Sequence, residues 1–198
     1  MLDHIFIDAI GAIRDGLEAA LLERQAFEEH FQTDVLVGDT SWETSYGLPG
    51  EGLPPRVKAD ITMVWPTWAQ TAYRSWYIGE PPEESPRITI ELVFRMQRLA
   101  NPPDPAVALD VLPRRSVILG NSRLTRDSVT VETTYGGDLR DPSWALEATY
   151  AGDYVVPEEV MADGAVLDEQ FGGLGGWVAS LLVQLGDLPL EYQAAGPE

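Results

Sequence analysis

The side chains able to move protons or hold a metal are few and scattered. The chain has 198 residues, two histidines and no cysteine. His4 and His30 fall at opposite ends of what the spacing predicts to be one helix, roughly 39 Å apart at ~1.5 Å per residue. They are not expected to share a site. A Ser–His–acid triad would need one of them, and no Gly-x-Ser-x-Gly nucleophile elbow is present. Gly120-Asn121-Ser122 reads as a turn. His4 and Asp8, like Arg24 and Glu28, are four apart and read as surface pairs. The absence of cysteine excludes disulfides, zinc ribbons, iron–sulfur clusters and thiol catalysis.

Three further groupings have non-chemical readings. Gly172-Gly173-Leu174-Gly175-Gly176 follows no strong strand and lacks the Lys-Ser/Thr ending of a phosphate loop. With Asp168, Glu169 and Asp187 around it, phosphate is repelled. It is expected to be a flexible joint before a packed helix. Glu158, Glu159, Asp163, Asp168 and Glu169 offer carboxylates, but not at EF-hand spacing, and read as a solvated acidic face. Trp65, Trp68, Tyr73, Trp76 and Tyr77 read as core filling with some interface exposure. No catalytic residue, cofactor or metal ligand is assigned.

Charge carries more information. There are 32 acidic and 13 basic residues, a net charge of −19. Lys58 is the only lysine; the other bases are arginine. Seven of these, Arg87, Arg95, Arg98, Arg114, Arg115, Arg123 and Arg126, fall within 87–126 beside three acids. From Asp141 to Glu198 there are eleven acids and no base. One reading is internal pairing between the two regions. The other is a pair of complementary surfaces for self-assembly or a partner. On the second reading the candidate interface residues are Arg95, Arg98, Arg114, Arg115, Arg123 and Arg126 against Glu158, Glu159 and Asp163. Trp76 and Glu80 would add a further contact. The overall acidity argues against tracking nucleic-acid phosphates, and no apolar run approaches the ~18 residues of a membrane span.

These residues need elements to hold them. Phe6, Ile10, Ile13, Leu17, Leu21, Phe27 and Phe31 recur at helical spacing and predict one long amphipathic helix over 3–31, capped by Asp3. Gly11 and Gly16 each weaken it by about 1 kcal/mol relative to Ala, or admit another backbone. A short strand is expected at 35–37, then a long irregular Gly/Pro loop at 38–56, functional or mobile. Strands are predicted at 57–65, 67–78 and 88–96, the last two joined by an exposed hairpin loop at 79–86. Ile88, Ile90, Leu92, Phe94 and Met96 share one strand face. Asp104 and Pro105 read as N-cap and first residue of a short helix ending near Leu112. Strands follow at 116–119, 128–135 and 143–151, a helix start or turn at 156–160 and a buried helix over 176–186. Residues after Tyr192 are expected to fray.

The order of these elements, with Ala59-Asp-Ile-Thr-Met-Val-Trp65, Tyr73-Arg-Ser-Trp-Tyr-Ile-Gly-Glu80 and Arg87-Ile-Thr-Ile-Glu-Leu-Val-Phe-Arg95, resembles the tail-terminator and tail-completion proteins of tailed viruses. The resemblance covers roughly residues 3 to 135. It implies a small α+β subunit that forms a ring at the end of the tail tube.

The expected fold is therefore α+β: a long N-terminal helix on a mainly antiparallel sheet, a short middle helix and an acidic C-terminal extension. Residues 1–140 form the core domain and 141–198 the extension packed on it. The expected function is a non-enzymatic structural subunit of a virion neck or tail. Its partners are copies of itself and other structural proteins, with no membrane and no sequence-specific nucleic acid. Its place is the virion, after assembly in the host cytoplasm. The alternatives are a cytoplasmic acidic binding or chaperone-like protein, a charge mimic of nucleic acid, and an enzyme using carboxylates and tyrosines in a sheet-lined cavity.

Overall fold

A computed structural model describes residues 4–22, 27–36, 38–48, 55–136 and 142–193. The expected cap Asp3 and the chain end beyond Gln193 lie outside these residues. The chain is α+β. A single antiparallel sheet has the strand order β1-β2-β3-β4-β6-β5. The strands are β1 (Phe27–Leu36), β2 (Asp39–Gly47), β3 (Val57–Trp65), β4 (Arg87–Leu99), β5 (Thr125–Thr134) and β6 (Ser143–Val155). The helices are α1 (His4–Leu21), α2 (Thr67–Tyr77), α3 (Pro105–Leu109), α4 (Glu159–Ala162) and α5 (Ala165–Gly186).

Alternation decides which sheet face is covered. Val57, Ala59, Ile61, Met63 and Trp65 of β3 are buried, as are Ile88, Ile90, Leu92, Phe94 and Met96 of β4. The register sets Ala59 against Phe94 and Ile61 against Leu92, so these rows merge into one apolar face. α1 and α5 cover it. α1 buries Ile5, Phe6, Ala9, Ala12, Ile13, Leu17 and Leu21, a stripe at helical spacing. Trp177 of α5 packs edge-on against Phe94 and Tyr150, with ring centroids 6.2 and 5.5 Å away.

The glycines of α1 and α5 explain how closely the helices approach. A Cβ on Gly16 would collide with the Gly172 carbonyl oxygen, and one on Gly175 with that of Ile13 and, at 3.0 Å, with the Leu17 nitrogen. Residues 172–176 are therefore not a flexible joint. They lie inside a continuous 22-residue helix, where tight packing onto α1 offsets their poor intrinsic helicity. The other expectation for Gly16, close approach of a second backbone, describes what is found.

Several local expectations are corrected by tertiary pairing. The first helix ends at Leu21, and Phe27–Leu36 is strand β1, bonded to β2 along its length with one register shift between Glu28 and His30. His30 is thus on a strand, and the separation expected of one straight helix does not apply. Within 38–56, Asp39–Gly47 is strand β2, with Trp42, Thr44 and Tyr46 buried on alternate positions; residues 49–54 lie outside the described set. Residues 67–77 form a helix instead of a strand. Ala69, Tyr73 and Trp76 recur at helical spacing, and Pro66 fixes the entry to the first turn. The 79–86 segment consequently joins a helix to β4, not two strands. Residues 116–119 form no strand; they bend back on themselves through the Leu119–Ser122 bridge and Gly120 at φ +61°.

The expected Asp104–Pro105 helix start is present, with Asp104 accepting a hydrogen bond from the Ala106 nitrogen at 2.9 Å. Residues from Ser143 onward supply β6, which lies between β4 and β5, and α5. The segment expected as an extension thus contributes an internal strand, the fifth of six, next to the edge strand β5.

Helix α2 takes its cap from a distant residue. Pro66 offers no capping side chain; instead Asp39 accepts from the Thr67 backbone nitrogen at 2.6 Å and the Thr67 hydroxyl at 2.8 Å. The first of these bonds, then the second, holds the Asp39 carboxyl below its ordinary pKa of 3.8. A depressed pKa means the cap stabilises the fold fully above the unfolded value and is lost as pH falls through the folded one. Asp39→Ala is expected to lower the urea midpoint at neutral pH. The gap to the parent should narrow at acid pH, as the parent's carboxyl is protonated through its lowered folded pKa. An equal gap at both pH values would show that the charge is not involved.

Candidate functional site

The second sheet face carries charge and, among the described residues, is not covered by helices. Arg95 on β4 sits opposite Glu147 on β6. Its Nη1 donates to Glu147, and its Nη2 lies 3.0 Å from Glu132 of β5. Arg87 reaches Glu84 and, at 3.4 Å, Asp153 of β6. Lys58 pairs with Asp60 at 2.9 Å. These partly exposed pairs are each worth about 0–1 kcal/mol. They show that part of the charge asymmetry is internal: two of the seven central arginines meet acids from the base-free C-terminal stretch. Arg95 is accordingly not an available interface cation.

The remaining arginines divide. Arg98 takes φ +62° at the register shift between Met96 and Leu99, and its carbonyl accepts from the Gln193 nitrogen at 2.8 Å. It belongs to the anchorage of the chain end. Arg114, Arg115, Arg123 and Arg126 come together on the segment that leads into β5 and on its second residue. That segment is tightly pinned. The Arg126 nitrogen donates to the Arg114 carbonyl at 2.9 Å, and the Arg126 Nη1 to the Leu112 carbonyl at 2.6 Å. The buried Ser116 accepts from the Leu124 nitrogen at its hydroxyl and donates its own nitrogen to the Leu124 carbonyl, both at 2.9 Å. The Tyr150 hydroxyl donates to the Pro113 carbonyl at 2.6 Å. Burial pushes the Tyr150 phenol up, and Arg126 partly offsets this.

A cleft of about 500 Å³ opens on this segment, lined by Arg115, Ile118, Gly120, Asn121, Ser122 and Arg123. Ile118 is 61 % exposed. Arg114, Arg115 and Arg123 are exposed, and none has an ion-pair partner among the described residues. Behind the cleft, the Tyr154 ring stands 3.0 Å from where a Gly120 Cβ would lie. Burial, and secondarily Glu159, push the Tyr154 phenol up to about 12, so it stays neutral.

Glu158, Glu159 and Asp163 are exposed at the junction of β6 and α5. Asp163 accepts from the Ala165 nitrogen at 3.0 Å and so helps start α5. Glu159 is near enough to Tyr154 to act on it, which places Glu159 beside the arginine cleft of its own chain. A different acidic surface, not anticipated from the sequence, lies between α1 and α5: a cleft of about 490 Å³ lined by Ile7, Asp8, Gly11, Asp15, Gly164 and Asp168. The outward spacing of Ile7, Asp8, Gly11 and Asp15 on α1 was available in the sequence; the addition of Gly164 and Asp168 was not.

Trp76 is half-buried against the core and Glu80 is exposed just past α2. Between them Tyr77 and Ile78 are the outward apolar residues. Trp65 and Tyr73 are fully buried, and the Tyr73 hydroxyl lies 3.3 Å from His4 Nε2. Among the described residues, no three His, Asp or Glu side chains are grouped to hold a metal ion, and no helix is long and apolar enough to cross a membrane. Comparison with protein-family models, curated proteins and solved structures finds no match in any of the three.

Proposed function

We propose that this chain is a non-enzymatic structural subunit that assembles head to tail with copies of itself. The kind of protein this reading fits is the ring-forming subunit at the neck or tail end of a virion, built in the host cytoplasm with other structural proteins. The observation that carries this reading is the set of exposed arginines, Arg114, Arg115 and Arg123, on a rigidly bonded segment of a chain whose net charge is −19. Acids are abundant, yet among the described residues none pairs with these three. Cations on a pinned segment that meet no acid among the described residues suit recognition of an acidic surface outside the chain. A head-to-tail contact closes into a ring when its rotation permits.

Size-exclusion chromatography with light scattering, followed by electron microscopy of the largest species, tests this. The expected result is concentration-dependent growth beyond a dimer and annular particles. A species that remains monomeric or dimeric at the highest soluble concentration, with no oligomers after chemical cross-linking, favours the acidic binding or chaperone-like alternative.

A further inference from the structure

Building on that head-to-tail reading, we propose that the Arg115–Ile118–Arg123 cleft of one chain docks onto the acid-lined α1–α5 cleft of a second copy. The two surfaces are opposite in charge. Arg115 and Arg123, with Arg114 beside them, face Asp8, Asp15 and Asp168. All six side chains are exposed, and none has an ion-pair partner among the described residues.

The surfaces also match in apolar content. Ile118 projects from the basic side at 61 % exposure and Ile7 from the acidic side at 64 %. Gly11 leaves open space on α1 beside Ile7, since a Cβ there would meet nothing within 4 Å. Exposed ion pairs contribute little affinity each, so the isoleucines supply contact while the charges set orientation and encounter rate.

One chain cannot join its own two clefts. Asp168 lines the α1 side of α5, whereas Gln170 approaches Gly120 on the basic side, 3.6 Å from where a Cβ would sit. Residues two apart on a helix point about 200° apart. The clefts therefore flank α5 on opposite sides, the arrangement that a heterologous contact between copies requires. Glu159 does not fit the role of partner surface, because it acts on Tyr154, which stands behind the cleft that carries the arginines.

The test is charge-swap complementation between two exposed double variants, Arg114→Glu/Arg115→Glu and Asp8→Arg/Asp15→Arg. Arg123 is left intact because its Nη1 holds the Ser116 carbonyl at 2.7 Å. Thermal melting of each variant checks the fold. Each variant alone is expected to associate at least tenfold more weakly than the parent chain. An equimolar mixture is expected to regain association as alternating subunits, because both mismatched faces then meet opposite charge. Parent-like association of either variant alone, or a mixture that stays dissociated, overturns this pairing of faces while leaving self-assembly standing. A parent chain that never associates overturns the head-to-tail reading itself.

Discussion

Replacing Gly175 by leucine is expected to destabilise the chain by about 3 kcal/mol or more, at the upper end for overpacking. Its Cβ would enter the backbone of α1 at Ile13, Gly16 and Leu17, and backbone atoms cannot rotate aside as a side-chain tip can. At roughly 2–4 °C per kcal/mol for a chain of this size, the melting temperature should fall by roughly 6–12 °C. Gly173→Ala provides the contrast within the same helix, since nothing lies within 4 Å of its would-be Cβ. There the gain in helix propensity should stabilise by about 0.5–1 kcal/mol. Opposite signs at two positions only two residues apart would separate close helix approach from general dislike of glycine in a helix. If both substitutions stabilise, α1 and α5 are not in backbone contact at that position.

Trp65→Ala is expected to cost about 3–5 kcal/mol. The side chain is fully buried at the end of β3. It stacks on Phe6 of α1 at a centroid distance of 6.4 Å and meets Tyr73 of α2 edge-on at 6.2 Å. One indole therefore joins the sheet to two helices, and its loss leaves a cavity that all three would have to close. Urea unfolding followed by far-UV circular dichroism measures the change. Trp68→Ala serves as reference: that ring is 42 % exposed with the Arg87 guanidinium 5.3 Å above it, a contact worth about 0.5–1 kcal/mol. Similar midpoints for the two variants would mean that Trp65 does not hold the layers together.

The aromatic concentration at 65–77 shows how far residue types alone carry. Core filling with partial exposure was readable there, but the division into buried Trp65 and Tyr73 and exposed Trp68 and Tyr77 follows from α2 being a helix. Thr, Tyr and Trp favour strands by amounts below about 1 kcal/mol each. The Asp39 cap, and the hydrogen bonds from Gln70 Nε2 to the Gly38 and Trp65 carbonyls at 3.0 and 2.9 Å, outweigh that preference. Phe27 and Phe31 likewise have helical spacing, yet their segment pairs with β2. In β2, by contrast, the Trp42–Thr44–Tyr46 alternation was present in the sequence, masked by the Gly and Pro residues that follow it.

The sequence by itself determined the α+β class, the span of β3, the core-facing row of β4, the apolar stripe of α1 as far as Leu21 and the Asp104–Pro105 helix start. Each is a matter of period or of adjacent residues, so it is encoded within a few positions of the chain. Only the tertiary structure decided which arginines are neutralised, because Arg95 finds Glu147 and Glu132 through strand order, across 52 and 37 residues. The same holds for the glycine block. In one dimension Gly172–Gly176 reads as a joint, and it becomes rigid only because α1 packs where side chains would otherwise stand. The acidic cleft also has two contributors far apart in the chain, Asp8 and Asp15 from α1 and Asp168 from α5. No local pattern relates charges whose proximity is created by helix packing.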